Sequence, residues 1–374
     1  PQDGARQTAR RAAVAATELR RCVPQDWLSQ SRIKHRVRRE GTTPERSLIM
    51  DDKFDAIIVG AGVAGATAAY LLAKAGLEVL VIERGNSAGA KNMTGGRLYA
   101  HSLEKIIPGF AEQAPVERRV TKEKISFMTE DSAVTMDYQI SFQEAHAQSY
   151  TVLRADFDRW LMEKAEDAGA QFIPGIRVDE LLSRDGFICG VKAGGDELEA
   201  YSVILADGAN SLLGTQLGYV KDPAPQNYAV GVKELIELPQ AVIEERFNLN
   251  SGEGAAWLFA GYPSAHIFGG GFLYTNKSSL SLGVVCGLEG IEKAGKSVPQ
   301  MLEDFKQHAL IAPHVKDGKM SEYSAHIVPA RETDMRTQLT GNGVLIIGDA
   351  AGLCRNVGDT IRGMDVANSS AQDA

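Results

Sequence analysis

The main hydrophobic pattern of the chain begins with eighteen consecutive uncharged residues, AIIVGAGVAGATAAYLLA, from Ala56 to Ala73. A helix that crosses a membrane needs roughly 20 apolar residues, so this run is at the lower limit of length. Its side chains are mostly small, and the β-forming segment AIIV precedes the glycines. We therefore predict a β-strand, a tight turn and a helix rather than a transmembrane helix.

The residues that follow continue this alternation. LEVLVIER predicts a second strand, which completes a βαβ unit and indicates a parallel sheet with a right-handed crossover. KISFMT and AVTMDYQI resemble the two strands of a hairpin. RADFDRWLMEKAEDAGA predicts a helix whose apolar stripe is typical of core packing.

The pattern changes between residues 223 and 337, where β-rich runs separated by turn residues predict an antiparallel sheet. GNGVLIIGDAAG then returns to a strand followed by a turn and a helix. The prediction is an α/β fold with a discontinuous Rossmann-like domain and an inserted, mostly antiparallel β-sheet domain. We assign residues 50–222 to its first part, with a hairpin near 124–141 joining the inserted domain at 223–337, and residues 338–374 to its second part.

Charge is distributed unevenly along the 374 residues. The whole chain carries −8 and residues 1–49 carry +6, so the remainder carries −14, which argues against a nucleic-acid partner. The basic extension has five acids, unlike a transit peptide, and we interpret it as disordered or non-native sequence preceding Met50. The four cysteines and seven histidines show no ligand spacing, so we predict a reducing compartment and no metal.

The turn after the first strand contains the pattern G-x-G-x-x-G at Gly60, Gly62 and Gly65. Such glycines permit a tight turn, a close approach to a pyrophosphate and close helix packing. Glu83 ends the second strand, where an acid binds a ribose hydroxyl. We include Ala64 in this predicted dinucleotide site; the alternative is a purely structural glycine turn.

Two later motifs place an aspartate at the end of an apolar strand: VILADGANS contains Asp207, and VLIIGDAAG contains Gly348 and Asp349. Each aspartate alone is equally consistent with an ordinary helix N-cap. Together with the first motif they favour FAD over a nicotinamide cofactor, because FAD is long enough to need a second anchor for its ribityl chain. Asp349 and Gly348 are the predicted anchor.

Several segments together resemble the FixC flavoproteins, relatives of electron-transfer-flavoprotein:quinone oxidoreductase. The resemblance extends from Met50 to about Asp365, and its narrower signals are KNMTGGRL and GGGFLY. It also indicates the wider group of geranylgeranyl reductases and p-hydroxybenzoate-hydroxylase-like flavoproteins. The resemblance implies that FAD contacts these residues: Gly60, Gly62, Gly65, Glu83, Arg84, Lys91, Arg154 and Asp349.

Several of these residues also have purely structural interpretations, which stay open. Arg84 and Lys91 are also consistent with solvated surface charges, and Arg154 with a surface position at a helix start. Gly269, Gly270 and Gly271 lie inside a predicted strand, which suggests a bulge or a close backbone approach. The aromatic residues around them either face an isoprenoid quinone or belong to the sheet core: Tyr262, Phe268, Phe272 and Tyr274.

The resemblance implies electron transfer from electron-transfer flavoprotein subunits of the FixA/FixB type, through FAD, to a quinone or a ferredoxin-like FixX-type subunit. We assign no catalytic residue, since redox chemistry belongs to the cofactor and we find no serine–histidine or paired-carboxylate device. The alternatives are a prenyl reductase, an NAD(P)H-dependent hydroxylase, or a non-catalytic fragment. We expect a cytoplasmic protein, with peripheral membrane attachment left open.

The end of the chain departs from the FixC pattern. VANSSAQDA is polar, lacks an apolar stripe and resembles a truncated or frame-shifted segment. Asp359 also places an acid between Gly358 and Ile361. Whether this end of the chain still allows FAD binding stays open.

Overall fold

The computed structural model describes residues 53–91, 96–140, 144–220, 224–330, 338–357 and 360–374. The basic extension assigned to residues 1–49 lies outside the described residues, as do Gly358 and Asp359. No helix in these ranges is both long enough and apolar enough to cross a membrane.

The strands, in chain order, are β1 Phe54–Val59, β2 Val79–Glu83, β3 Gly96–Tyr99, β4 Val116–Met128, β5 Ala133–Gln139, β6 Ser149–Val152, β7 Gln171–Pro174, β8 Val178–Arg184, β9 Phe187–Ala193, β10 Asp196–Leu205, β11 Tyr228–Glu237, β12 Glu253–Gly261, β13 Gly269–Thr275, β14 Ser279–Gly287, β15 Lys319–Pro329, β16 Thr340–Gly341, β17 Val344–Ile346, β18 Arg355–Asn356 and β19 Ile361–Arg362. The α-helices are α1 Val63–Lys74, α2 His101–Ile106, α3 Arg154–Asp167, α4 Leu212–Gln216, α5 Gln240–Phe247, α6 Ile291–Ala294, α7 Val298–Gln307, α8 Ala312–Val315 and α9 Met364–Asp373.

The first sheet has a parallel centre in the order β17-β10-β1-β2-β7. Ile57 and Ile58 of β1 are completely buried on its two faces, which is why this strand has a continuous apolar sequence. Helices α1 and α3 pack on one face, and the predicted βαβ unit is present.

The second sheet has the order β15-β11-β14-β13-β12-β4-β6-β3, and β5 pairs with β4. All its pairs are antiparallel except β12 with β4. The predicted α/β fold class is confirmed. The sheet also takes β3 and β6 from outside residues 223–337, and the domain boundaries stay a prediction.

Helix α7 covers one face of the second sheet. Met301, Leu302 and Phe305 are buried there, where they pack with apolar side chains of β11 to β14. The alternate residues of the same strands point to the opposite face. That opposite face lines a cavity shared with the first sheet.

The C-terminal residues form helix α9, although the sequence analysis expected no packing stripe there. Ala367 and Ala371 are buried, and Asn368 accepts a hydrogen bond of 2.8 Å from Thr67 on α1. Small residues on α1 let the two helices approach closely, so no large apolar stripe is needed. The segment therefore packs without the large apolar stripe that its sequence lacks.

The GDAAG segment also differs from its prediction. A single 3₁₀ turn at Gly348–Ala351 follows β17, instead of an α-helix. The antiparallel pair of β18 and β19 comes next, and α9 starts only at Met364. The helix after the GD motif is therefore separated from it by a short ribbon.

Candidate functional site

The turn after β1 leaves room for a ligand because it has no side chains. Gly60 has φ +103°, and a Cβ on it would lie 2.4 Å from the carbonyl oxygen of Ala206. A Cβ on Gly65 would lie 1.9 Å from the carbonyl oxygen of Gly60. Helix α1 begins with Gly62 at its N-cap and has no side-chain cap. Its first N–H groups are therefore available to an anion.

Glu83 lies at the end of β2, beside this turn. Its Oε2 accepts a hydrogen bond of 2.9 Å from the amide of Ala61, and its Oε1 accepts one of 2.7 Å from the amide of Gly85. Two backbone amides thus fix the carboxylate. An ionised carboxylate has about four acceptor sites, so capacity remains for hydroxyl donors of a ligand.

One cavity of about 660 Å³ extends from this turn to the second sheet. Its lining includes most of the predicted site residues: Gly60, Gly62, Ala64, Glu83, Arg84, Lys91, Arg154 and Asp349. Gly65 and Gly348 lie behind it, where a Cβ on Gly348 would be 2.8 Å from Ala64 Cβ. Arg84 and Lys91 are exposed side chains at the rim.

Arg154 and Asp349 both line the cavity. Arg154 Nε and Nη2 donate hydrogen bonds of 2.8 Å each to the two carboxylate oxygens of Asp158, which is fully buried. Burial opposes its charge, but Asp158 and Asp349 outweigh burial and raise the pKa of Arg154. Burial raises the pKa of Asp349, while the nearby Arg154 and His326 oppose that rise.

Asp207, in the second of the strand-end motifs, also lines the cavity. Burial raises the pKa of its carboxyl group. Its Oδ2 accepts a long hydrogen bond of 3.4 Å from the amide of Leu213, and its Oδ1 is buried without a partner among the described residues. The motif is recognisable in the sequence, but Asp207 is not among the predicted site residues.

The far end of the cavity is apolar. Ile125, Leu258 and Phe272 are register partners on β4, β12 and β13, so their side chains lie on the same face. The rings of Phe272 and Tyr274 stack with centroids 5.2 Å apart. Phe268 also lines the cavity, whereas Tyr262 packs against His308 on the α7 side. Three of the four aromatic residues considered from sequence thus face the cavity.

The glycine run of β13 lets neighbouring strands come close. Gly269 has φ +134°, and a Cβ there would lie 1.9 Å from the carbonyl oxygen of Val285. A Cβ on Gly270 would lie 2.1 Å from the carbonyl oxygen of Phe259. The predicted close backbone approach is confirmed.

Residues 53–373 match the family model described as FAD binding domain. The chain is 62% identical over 325 residues to Protein FixC of Escherichia coli strain K12, covering 87% of this chain and 76% of that protein. The chain belongs to the FixC family. It is therefore an FAD-dependent oxidoreductase, as the sequence analysis predicted.

The chain is also similar to a second relative and to a solved structure. The probable electron transfer flavoprotein-quinone oxidoreductase YdiS of the same strain is 64% identical over 326 residues, with 87% of this chain and 76% of that protein covered. A geranylgeranyl bacteriochlorophyll reductase-like structure from Thermoplasma acidophilum superposes with a TM-score of 0.70 at 22% identity, covering 85% of this chain and 76% of that one. This second likeness shows the fold alone.

The described residues of this FixC-family chain fit FAD. The glycine turn is a cradle that a Cβ would fill, and the uncapped start of α1 supplies donors for a pyrophosphate. Glu83 would provide an acceptor for a ribose hydroxyl, and Asp349 one for a ribityl hydroxyl. FAD supplies the redox chemistry when bound, while the protein binds and orients it. The individual contacts stay a prediction.

Among the cavity residues that were not predicted from sequence are Arg97, Tyr99 and Arg362. Arg97 and Tyr99 lie on β3, and Arg362 lies on β19, more than 260 residues later in the chain. Arg97 occurs in KNMTGGRL, but no periodicity or motif spacing relates the segment of β3 to that of β19. Only the fold brings them together.

Proposed function

We propose that this chain passes electrons from an electron-transfer flavoprotein, through FAD, to a quinone. The donor would be a pair of FixA/FixB-type subunits, and a ferredoxin-like FixX-type subunit is the alternative acceptor. The relative YdiS is named as a probable electron transfer flavoprotein-quinone oxidoreductase, and this name supports both the donor and the first acceptor.

The observation that carries the quinone proposal is the apolar end of the cavity. Leu258, Phe272 and Tyr274 form a wall that is continuous with the cavity lining around Asp349. A flat, apolar molecule has contact surface there, and ligand pockets are typically apolar with a few polar groups. A protein acceptor would dock on the outer surface and would make no use of this wall.

The chemistry requires placement more than acid–base catalysis. Electron transfer between a flavin and a quinone depends on holding the two rings close to each other and away from water. Fixed backbone amides orient Glu83, and Asp158 orients Arg154, so the cofactor-binding groups are rigid before a ligand arrives. The cavity thus supports an electron-transfer enzyme.

The first experiment is to purify the protein with FAD and record its visible flavin absorbance. An anaerobic mixture with a reduced FixA/FixB-type flavoprotein is then expected to bleach that absorbance, and menadione is expected to restore it. The flavoprotein mixed with menadione alone is the control. Failure of the donor to reduce the bound FAD would refute the proposed donor, and failure of menadione to reoxidise it would refute the quinone.

A prenyl reductase activity predicts a different outcome. Reduced holoenzyme incubated with a geranylgeranyl lipid would then give a lipid with fewer double bonds, measured by mass spectrometry. We expect an unchanged lipid mass. A saturated product would replace the proposal.

A further inference from the structure

Two arginine side chains stack on one tyrosine ring at the cavity. The Cζ atom of Arg362 lies 3.9 Å from the ring centroid of Tyr99, and that of Arg97 lies 4.5 Å from it. All three residues line the cavity. Stacking on an aromatic ring fixes the plane of a guanidinium group and restricts where its donors point.

Arg97 is occupied by protein partners. Its Nε donates to Ser149 Oγ at 3.0 Å, and its Nη1 and Nη2 donate to the carboxylate of Glu123 at 3.1 and 2.5 Å. Each of its three nitrogen atoms therefore has an acceptor. Arg97 anchors the tyrosine and joins β3 to β6 and β4.

Arg362 has fewer hydrogen-bond partners than Arg97 among the described residues. Its Nη2 donates to Asp365 Oδ2 at 2.5 Å, and its Nε is buried without a partner among the described residues. The side chain is 22% exposed, whereas that of Asp365 is 5% exposed. A guanidinium has five N–H donors, so most of those on Arg362 are unused in the described part of the chain. Of the two arginines stacked on Tyr99, Arg362 is therefore the one with donors to spare in the described part of the chain.

The surroundings of Arg362 indicate what it would bind. The same cavity contains the apolar wall of Leu258, Phe272 and Tyr274. A cation with free donors in a cavity with an apolar wall suits a flat apolar molecule with a polar oxygen at its edge. A quinone ring has this chemistry.

We propose that Arg362 donates a hydrogen bond to a ring carbonyl oxygen of the quinone. This inference rests on the proposed function and names a residue for its acceptor half. The quinone gains two electrons and two protons and becomes a hydroquinone, and fully reduced FAD supplies both electrons and both protons. Negative charge develops on the carbonyl oxygen during this change, and a fixed guanidinium stabilises it. Arginine stays protonated, so its role is electrostatic.

A carbonyl oxygen of the flavin ring has the same chemistry as that of a quinone. The two sources are separated by measuring quinone affinity and flavin reduction potential on the same variants. A quinone contact changes the affinity for menadione and leaves the potential of FAD unaltered. A flavin contact shifts the potential instead.

The test compares R362Q with R355Q. Arg355 is the register partner of Arg362 on β18, it is exposed, and it does not line the cavity. Menadione binding to the oxidised holoenzyme is measured by isothermal titration calorimetry. We expect R362Q to bind menadione about 10- to 100-fold more weakly, as for a lost hydrogen bond to a charged group, and R355Q to match the original protein. Both variants are expected to keep the original FAD potential.

Equal menadione affinity in R362Q and R355Q would overturn the inference, and so would a shifted FAD potential with unchanged menadione affinity. If R362Q loses FAD, menadione binding is measured on R362K instead, because lysine keeps the charge but cannot form the planar stack on Tyr99. R362K is expected to retain FAD and to bind menadione more weakly; original affinity would overturn the inference. If the original holoenzyme neither binds menadione nor is reoxidised by it, the quinone proposal itself fails.

Discussion

The two ends of the cavity are built differently. The nucleotide end consists mainly of backbone: a glycine turn, the start of α1 and a carboxylate held by two amides. The end that faces the second sheet consists of side chains from β3, β4, β12, β13 and β19. A backbone site depends on residues that are close in the chain, whereas a side-chain site depends on how sheets and ribbons pack. The first is therefore readable from sequence, and the second is not.

The largest expected effect tests the backbone end. Gly60→Ala places a Cβ against Ala206 in a backbone conformation that disfavours side chains. We expect it to lose about 4 kcal/mol of stability and to be isolated without FAD. Gly76→Ala is the control, because Gly76 has φ +85° but nothing within 4 Å of its Cβ position. Urea unfolding and flavin absorbance measure both; a flavin-containing, stable G60A would contradict the backbone description.

The second prediction concerns the ion pair of Asp158 with Arg154. Asp158→Asn removes the charge that holds Arg154, leaving a guanidinium with a weaker partner. We expect a loss of about 3 kcal/mol in the free energy of unfolding together with weaker FAD binding. Asp156→Asn is the matched control, because the pair of Asp156 with Arg159 is exposed and is expected to contribute under about 0.5 kcal/mol. Equal effects of the two variants would show that burial of Asp158 has no energetic consequence.

A smaller effect is expected at Glu83. Glu83→Gln replaces one acceptor oxygen by a donor that faces a backbone amide. We expect FAD to bind about tenfold more weakly, or about 1.4 kcal/mol, in fluorescence titrations of the apoprotein. Glu78→Gln, an exposed change at the start of the same strand region, serves as control. Unchanged affinity in E83Q would remove Glu83 from the site.

The smallest expected effect concerns Asp349, where a substitution is expected to increase stability and not to decrease it. Burial raises the pKa of Asp349, so its ionised form is disfavoured in the folded apoprotein. Stability contributed by a group with a raised pKa is present at low pH and is lost as pH rises through the folded-state pKa. Asp349→Asn is therefore expected to stabilise the apoprotein at neutral pH by about 1 kcal/mol and to weaken FAD binding.

The matching measurement is the apoprotein melting temperature as a function of pH. The gap between D349N and the original protein is expected to close at acidic pH, where Asp349 is protonated. Asp373→Asn, at an exposed position of α9, should show no gap. A D349N variant less stable than the original at neutral pH would show that Arg154 and His326 dominate over burial.

Sequence reasoning succeeded where a pattern and a structure share the same short stretch of chain. The βαβ unit, the hairpin of β4 and β5 and helix α3 are confirmed because each has its own hydrophobic periodicity. Helix α9 has no such signal, because Ala367 and Ala371 pack against α1 through their small size and the sequence there lacks a large apolar stripe. The GD segment misled because a 3₁₀ turn and a ribbon have no periodic signature.

The sequence by itself determined the α/β fold class, the FAD cofactor and the nucleotide turn. These follow from glycine positions and strand ends within short segments, where local sterics allow few conformations. Only the tertiary structure decided that Arg362 meets Tyr99 and Arg97, and that Phe272 and Tyr274 face the same cavity. Such contacts arise when separately formed sheets and ribbons bury their apolar faces together. The local sequence around each of these residues does not indicate which distant residues it contacts.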